Sequence, residues 1–306
     1  TLTLVDSEAP QIGPWSLPTT WLNTNTITVA VPVTDSFSGL ADGHFSVMGP
    51  NYAVTLPVTL PMGNLPWQGQ MLTALLADVP DGEHTLALHA VDYVGNQGQQ
   101  SQALRVDTLP PTVTAQLDAT PLDGWYGAPV LLTLAAADHT SGVATISYKV
   151  SAGDSTATIT QRAVASDTQA ISLTSNGLQQ IVYAAVDHAG NVAAAQALTV
   201  ALDLAAPVIR LQQLSFSTET VQIAWQIHDD GIGVQQIEMQ IQQGDGAWQR
   251  APWDAMTQTT THLTLDPEQT TKVRARAQDR FGHLSAWVTI ELWQATAWLY
   301  LPVVYR

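Results

Sequence analysis

Apolar and polar residues alternate along much of the chain, and few segments carry the apolar spacing of a helix. Ile27, Val29, Val31 and Val33 lead to Asp35; Val130, Leu132, Leu134 and Ala136 lead to Asp138; Val221, Ile223, Trp225 and Ile227 lead to Asp229. All three aspartates share the parity of the buried face. Each is followed by a glycine (Gly39, Gly142, Gly233) and then an aliphatic residue (Leu40, Val143, Val234). Alternation resumes at Ile146, Tyr148 and Val150 and at Ile237, Met239 and Ile241. The first copy loses this register, which reads as a short insertion around Asp42 and Gly43.

A second pattern shows the same repetition. Residues 181–191, IVYAAVDHAGN, are matched by LALHAVDYVGN at 86–96 and by VRARAQDRFGH at 273–283. The aspartates Asp92, Asp187 and Asp279 lie 95 and 92 residues apart, so the chain reads as three copies of one unit. A short strand, an aspartate and a proline open each copy, at residues 1–10, 104–111 and 198–207. The boundaries predicted are 7–107, 108–203 and 204–294. Residues 1–6 read as the last strand of a preceding repeat and 295–306 as a tail strand. About seven alternating strands per unit, with turn signals between them, predict an all-β chain of three tandem antiparallel sandwiches with free N- and C-terminal strands.

Composition narrows the function. The 306 residues carry a formal net charge of −16, with 26 acidic and 10 basic side chains. Such a surface repels nucleic acid and anionic lipid and suits divalent cations. Absence of cysteine excludes a disulfide scaffold and a thiolate site. No apolar run is long enough for a membrane-spanning helix. No leader or initiator methionine is present, so the sequence reads as part of something longer.

The motifs AVDHAGN, the Asp-x-x-x-Gly-Val step, Gly124-Trp125-Tyr126 ahead of Pro129-Val130, and the Asp-to-Pro junctions resemble the immunoglobulin-like repeats of large bacterial extracellular proteins. Gly246-Ala247-Trp248 and RARAQDRFGHLSAW, ending at Trp287, make the third unit more similar to fibronectin type III. The tail, residues 298–306, resembles a C-terminal ending on secreted multidomain proteins of filamentous gliding bacteria. These resemblances imply an extracellular location and a fold, and no activity.

In such a sandwich the chain entrance and the loops after the second and sixth strands lie at one end. Three carboxylate sets should therefore converge: Asp6 with Asp35 and Asp92, Asp107 with Asp138 and Asp187, and Asp203 with Asp229 and Asp279. Each could hold calcium, which takes 6–8 oxygens. Alternatively each aspartate caps its own turn. The neighbouring histidines His139, His188, His228 and His283 fall on the opposite parity and read as solvated. There is no HExxH motif, phosphate loop, nucleophile elbow or paired catalytic His, so an enzyme is not expected. Leu301-Pro302-Val303-Val304 lacks the Thr-Gly of a sortase signal, and Lys149 faces away from the core, so assembly should be non-covalent.

Trp287 and Trp293 share the outer parity of the last strand, as a contact surface or as a floor for the tail. The tail residues Trp298, Leu299, Tyr300, Leu301, Val303, Val304 and Tyr305, with Leu2 and Leu4 at the other end, suit strand addition between subunits. The reading that follows is a non-enzymatic cell-surface filament subunit or stalk, joined head to tail, with no nucleic-acid partner. Two alternatives stay open. One is an adhesive or carbohydrate-binding module using Trp67, Trp125, Tyr126, Trp248 or Trp253 as stacking platforms for a glycan or other surface ligand. The other is the accessory region of a large secreted hydrolase.

Overall fold

The computed structural model describes residues 6–58, 60, 69–152, 160–215, 220–266 and 268–293. Among them every regular element is a strand, and the strands form three sandwiches in tandem. The first contains β1 (Gln11–Ile12), β2 (Ile27–Thr34), β3 (Leu40–Gly49), β4 (Tyr52–Pro57), β5 (Gln70–Leu76), β6 (Gly82–Asp92) and β7 (Gln97–Val106). They make one sheet in the order β1-β2-β5 and another in the order β4-β3-β6-β7.

The second sandwich contains β8 (Thr112–Leu117), β9 (Trp125–Tyr126), β10 (Val130–Ala137), β11 (Val143–Ala152), β12 (Thr160–Val164), β13 (Thr168–Leu173), β14 (Gly177–Asp187) and β15 (Gln196–Leu202). Its sheets run β13-β10-β8 and β12-β11-β14-β15-β9. The third contains β16 (Val208–Gln213), β17 (Thr220–His228), β18 (Val234–Gln243), β19 (Gln249–Arg250), β20 (Thr260–Thr264), β21 (Thr271–Asp279) and β22 (Val288–Leu292). Its sheets run β16-β17-β20 and β19-β18-β21-β22. Apart from β9, the same strand order recurs in all three.

Strict alternation builds each core. Along β2 the side chains of Val29, Val31 and Val33 are fully buried, and they face Phe45, Val47, Leu86 and Leu88 across the sandwich. Leu132, Leu134, Ile146 and Ile181 do the same in the second unit, and Val221, Ile223, Trp225 and Val273 in the third. Trp225 is buried in this core, where its indole N–H donates to the Ala255 carbonyl at 3.1 Å. Burial of each large apolar side chain stabilises the fold by roughly 1.5–3 kcal/mol. Lys149 is exposed.

The register slip expected in the first unit is absent. Each unit has a bulge at the start of the strand that follows its closing glycine (β3, β11 and β18), between Leu40 and Asp42, Val143 and Thr145, and Val234 and Gln236. Counting from the bulge, Gly43 stands where the other units have Ile146 and Ile237. The apolar signal vanishes there because the residue is glycine, and Leu72 and Val58 close over it.

Ahead of the second strand, the first two sandwiches carry a hook that pairs parallel with the last strand. Leu22 bridges Val106, while Trp125 and Tyr126 of β9 pair with Ala201 and Leu202. The hook lies at the end of the sandwich that meets the next unit. The terminal residues Leu2, Leu4, Trp298, Leu299, Tyr300, Leu301, Val303, Val304 and Tyr305, and also Trp67, lie outside the described residues.

A methyl added at Gly43 would meet the His89 carbonyl at 3.4 Å and Leu72 at 3.5 Å, which is ordinary contact. Gly43→Ala should therefore stabilise the first sandwich by ~0.5–1 kcal/mol through the unfolded chain. Thermal unfolding of the full chain checks this; a lowered melting temperature would mean the site is already full.

Candidate functional site at the sandwich entrances

Each entrance is built from a strand end, a tight turn and the incoming chain. In the first unit, Asp35 closes β2 and accepts the N–H groups of Phe37 and Gly39 at 3.2 and 2.6 Å. Asp92 closes β6 and accepts those of Val94 and Asn96 at 3.0 and 2.7 Å. Asp6 on the incoming chain accepts Glu8 N–H at 3.0 Å and reaches across to Ser38 N–H at 2.9 Å. The second unit repeats this: Asp138 takes Thr140, Ser141 and Gly142, Asp187 takes Asn191, and Asp107 takes Leu109 and Ser141. Positive φ at the closing glycines Gly39 and Gly142, both 80°, turns these N–H groups inward.

The carboxylates of Asp6, Asp35 and Asp92 lie within 4.8 Å of one another, and so do those of Asp107, Asp138 and Asp187. In the third unit Asp203 and Asp279 meet His283 instead of Asp229. Asp229 caps its own turn through Gly231 and Gly233 N–H groups at 3.0 and 2.8 Å. Asp203 sits against Gly231, where any side chain would overlap its carboxyl group, and takes Ile232 N–H at 2.8 Å. His283 is thus drawn into the cluster, contrary to its expected solvated position: its Nδ1 lies 2.7 Å from Asp279 Oδ2. The other loop histidines follow expectation. His139 and His188 are exposed, and His228 pairs with Asp230 at the surface.

His283 occupies the place of Asn96 and Asn191, the residues that sequence reasoning missed. The Asn191 amide donates to Asp187 Oδ2 at 2.8 Å, to the Asp107 carbonyl at 2.8 Å and to the Leu109 carbonyl at 3.3 Å. Asn96 donates likewise to Asp92 Oδ2 at 2.7 Å and to the carbonyls of Asp6 and Glu8 at 3.5 and 3.1 Å. The signal was in the repeat itself, as the last letter of AVDHAGN.

Calcium would need 6–8 oxygens converging on one point. Here an amide nitrogen already occupies the point between the sixth-strand carboxylate and the entrance carbonyls. In the first two knots every carboxylate oxygen except Asp35 Oδ2 and Asp138 Oδ2 accepts an N–H bond among the described residues. This donor set builds a hydrogen-bonded knot, and the same three carboxylates could also hold a cation.

No protein-family model matches the chain, and no curated protein does. In structure it is similar to a tetra-tandem repeat in the extending region of a large adhesion protein, with 15% identity and a TM-score of 0.36. That match covers 94% of this chain and 74% of the other. Fibronectin(III)-like modules of Clostridium thermocellum CbhA are similar at 13% identity and a TM-score of 0.31, over 63% of this chain and 94% of theirs. Neither likeness bears on what the chain binds.

The knots also span the junctions. Asp107 N–H donates to the Leu22 carbonyl of the first hook at 2.9 Å, while its carboxylate belongs to the second sandwich. Asp203 N–H donates to the Tyr126 carbonyl at 2.9 Å, with its carboxylate in the third. Thr108 adds bonds to Asp81, and Leu204 one to Asn176. Beside them the loop after the sixth strand presses on the preceding hook. Gly190 faces Asn23, the Phe281 ring lies on Gly127, and Arg280 pairs with Asp123 at 2.6 Å.

The tryptophans expected as platforms are mostly engaged. Trp287 is half-buried rather than exposed, with the guanidinium groups of Arg274 and Arg276 over its ring at 4.2 and 4.5 Å. Arg274 also covers Trp248 at 4.3 Å. Trp253 stacks on Trp225 at 6.5 Å, and Trp125 and Tyr126 form the hook strand. Trp293 is 65% exposed.

Burial opposes ionisation of Asp92, but the Asn96 amide and N–H outweigh it, with help from Ser38 and Val94, and hold the carboxyl below its ordinary value of 3.8. The Ser38 hydroxyl is buried without a partner in good hydrogen-bond geometry, yet it is close enough to favour the charge. A depressed carboxyl gives stability that is complete above about pH 4 and is lost as the pH falls through the folded-state value. Asn96→Ala should raise the Asp92 carboxyl, cost ~1–3 kcal/mol and move acid unfolding of the first sandwich to higher pH. Hydrogen exchange of β6 as a function of pH reads this; an unmoved midpoint would rule out the amide as the deciding donor.

Proposed function

We propose that the chain is a non-enzymatic rod of an extracellular structural or adhesive protein, used as a stalk or as the repeating subunit of a cell-surface filament. The observation that carries this reading is the double bonding of Asp107 and Asp203. One residue ties its backbone to the sandwich behind and its charge to the sandwich ahead. A linker with no residues to spare and a buried carboxylate at its centre resists bending, which is what a spacer requires.

The chemistry of the buried groups supports the absence of catalysis. The buried aspartates Asp35, Asp92, Asp107, Asp187, Asp203 and Asp279 each accept at least one turn N–H group. None is poised for proton transfer to a substrate. Of the aromatic side chains offered by a glycan-binding reading, Trp248 is covered by Arg274, and Tyr126 and Trp253 pack against the cores. An acidic, cysteine-free chain of tandem sandwiches suits an extracellular setting. Growth of a filament would use the two ends of the rod.

Small-angle scattering of the full chain should give a rod with fixed junction angles, and chelation should leave both the profile and the melting temperature unchanged. Asp107→Ala should cost the second sandwich ~1–2 kcal/mol, because the Leu109 N–H loses its acceptor and the Ser141 N–H one of its two, and should broaden the distribution of shapes. Flexible beads in the unmodified chain would refute the rod. A melting temperature that falls on chelation and recovers with calcium would instead assign the knots to that ion.

A further inference from the structure

The loop that presses on the preceding hook in the second and third sandwiches has a counterpart in the first. Tyr93 stands where the others have His188 and Arg280, since all three N–H groups bond the closing-glycine carbonyl, Gly39, Gly142 or Gly233. Val94 then corresponds to Ala189 and Phe281. At the junction before the third sandwich Arg280 and Phe281 lie against the hook, and at the junction before the second the next loop residue, Gly190, faces Asn23 of the hook. In the first sandwich these positions are open: Tyr93 is 70% exposed, Val94 59%, and Phe37 on the adjoining loop 49%.

The far end of the third sandwich is open in a complementary way. Trp293 follows β22 as Asp107 follows β7 and Asp203 follows β15. Its backbone is fixed as theirs is, with the Gln213 side chain replacing the hook carbonyl: Trp293 N–H donates to Gln213 Oε1 at 3.0 Å, and Gln213 Nε2 donates to the Trp293 carbonyl at 2.7 Å. The Trp293 side chain takes the position of a junction carboxylate and is 65% exposed. One end therefore presents a loop face of Phe37, Tyr93 and Val94, and the other a rigidly held tryptophan.

We infer that Phe37, Tyr93 and Val94 form the acceptor face for the Trp293 end of a second copy of this chain, so that copies stack head to tail through a junction of the kind already present twice within the chain. This rests on the rod reading and supplies its missing contact surface. The occupant follows from continuity: the equivalent loop of the third sandwich is covered by the end of the second, and that of the second lies beside the end of the first. The contact is heterologous, so it propagates rather than closing as a dimer. Its core is apolar and aromatic, as interface centres are, while the surrounding acidic surface would repel an anionic lipid.

Two variants of the full chain test this. Val94→Asp blocks the acceptor and leaves the donor; Trp293→Asp does the reverse. Both positions are exposed, and unchanged thermal unfolding will confirm that the variants fold. In sedimentation velocity the unmodified chain should form species larger than dimers as concentration rises. Each variant alone should lose every species above monomer. A mixture of the two, separately labelled, should form a 1:1 dimer and stop there. An unmodified chain that stays monomeric, variants that polymerise like it, or a mixture without the dimer would each overturn the contact. None of these outcomes touches the rod, which is read from scattering of the single chain.

Discussion

Asp107 and Asp203 are buried between sandwiches, with N–H bonded backward to a hook carbonyl and carboxylate bonded forward to a turn. Leaving an ionised carboxylate buried without partners would cost far more than the net stability of a domain of this size. The turn ahead must therefore present N–H groups at a fixed place. The glycine that closes it, Gly142 or Gly233, supplies the positive φ that allows this. The sixth-strand loop must lie alongside, because its aspartate and its asparagine or histidine complete the same cluster. Position of the next sandwich thus follows from satisfying one charge.

Three carboxylates so close together repel one another, and a cation would be the direct remedy. Dipoles also answer that repulsion here. Backbone N–H groups of two turns converge on the cluster, and Asn96 or Asn191 places an amide where the carboxylate and the entrance carbonyls meet. Hydrogen bonds to a charged acceptor are about twice as strong as neutral ones, and a buried site is little screened by salt. The arrangement keeps the entrance strand in place by its own carbonyls, through the same amide that holds the charge. In the third unit His283 holds Asp279 in that role, while Gly231 lets Asp203 approach closely and leaves Asp229 to its own turn.

Much of this was legible before any coordinates. Period-two alternation identified strands and their buried faces, because a half-buried strand admits little else, and the aspartates at strand ends were on core parity for a physical reason. Two of three carboxylate groupings follow from topology alone. The third does not, because the choice between Asp229 and His283 turns on the space left by Gly231, which alternation does not register. Gly43 hid a regular strand behind a missing side chain. Trp287 looked exposed because parity tells only which face a side chain is on. Arg274 and Arg276, two residues apart on β21, share that face and cover it. Asn96 and Asn191 were visible as repeat letters, but reading them as donors required knowing that the entrance carbonyls lie beside them.

The two kinds of strand ending in this chain differ in what they require next. After β7 and β15 an aspartate stands ready, and its charge can be buried only if another sandwich brings turn N–H groups to it. After β22 the same backbone position is satisfied within the sandwich, by both ends of the Gln213 amide, and the side chain is an indole. An indole needs no donors from a partner, only apolar surface within reach. The internal junctions are therefore specified by hydrogen-bond geometry and tolerate little displacement, whereas a contact at Trp293 is specified by shape and apolar area. The first belongs to covalent neighbours that never separate, and the second, in the head-to-tail contact inferred above, would join separate copies.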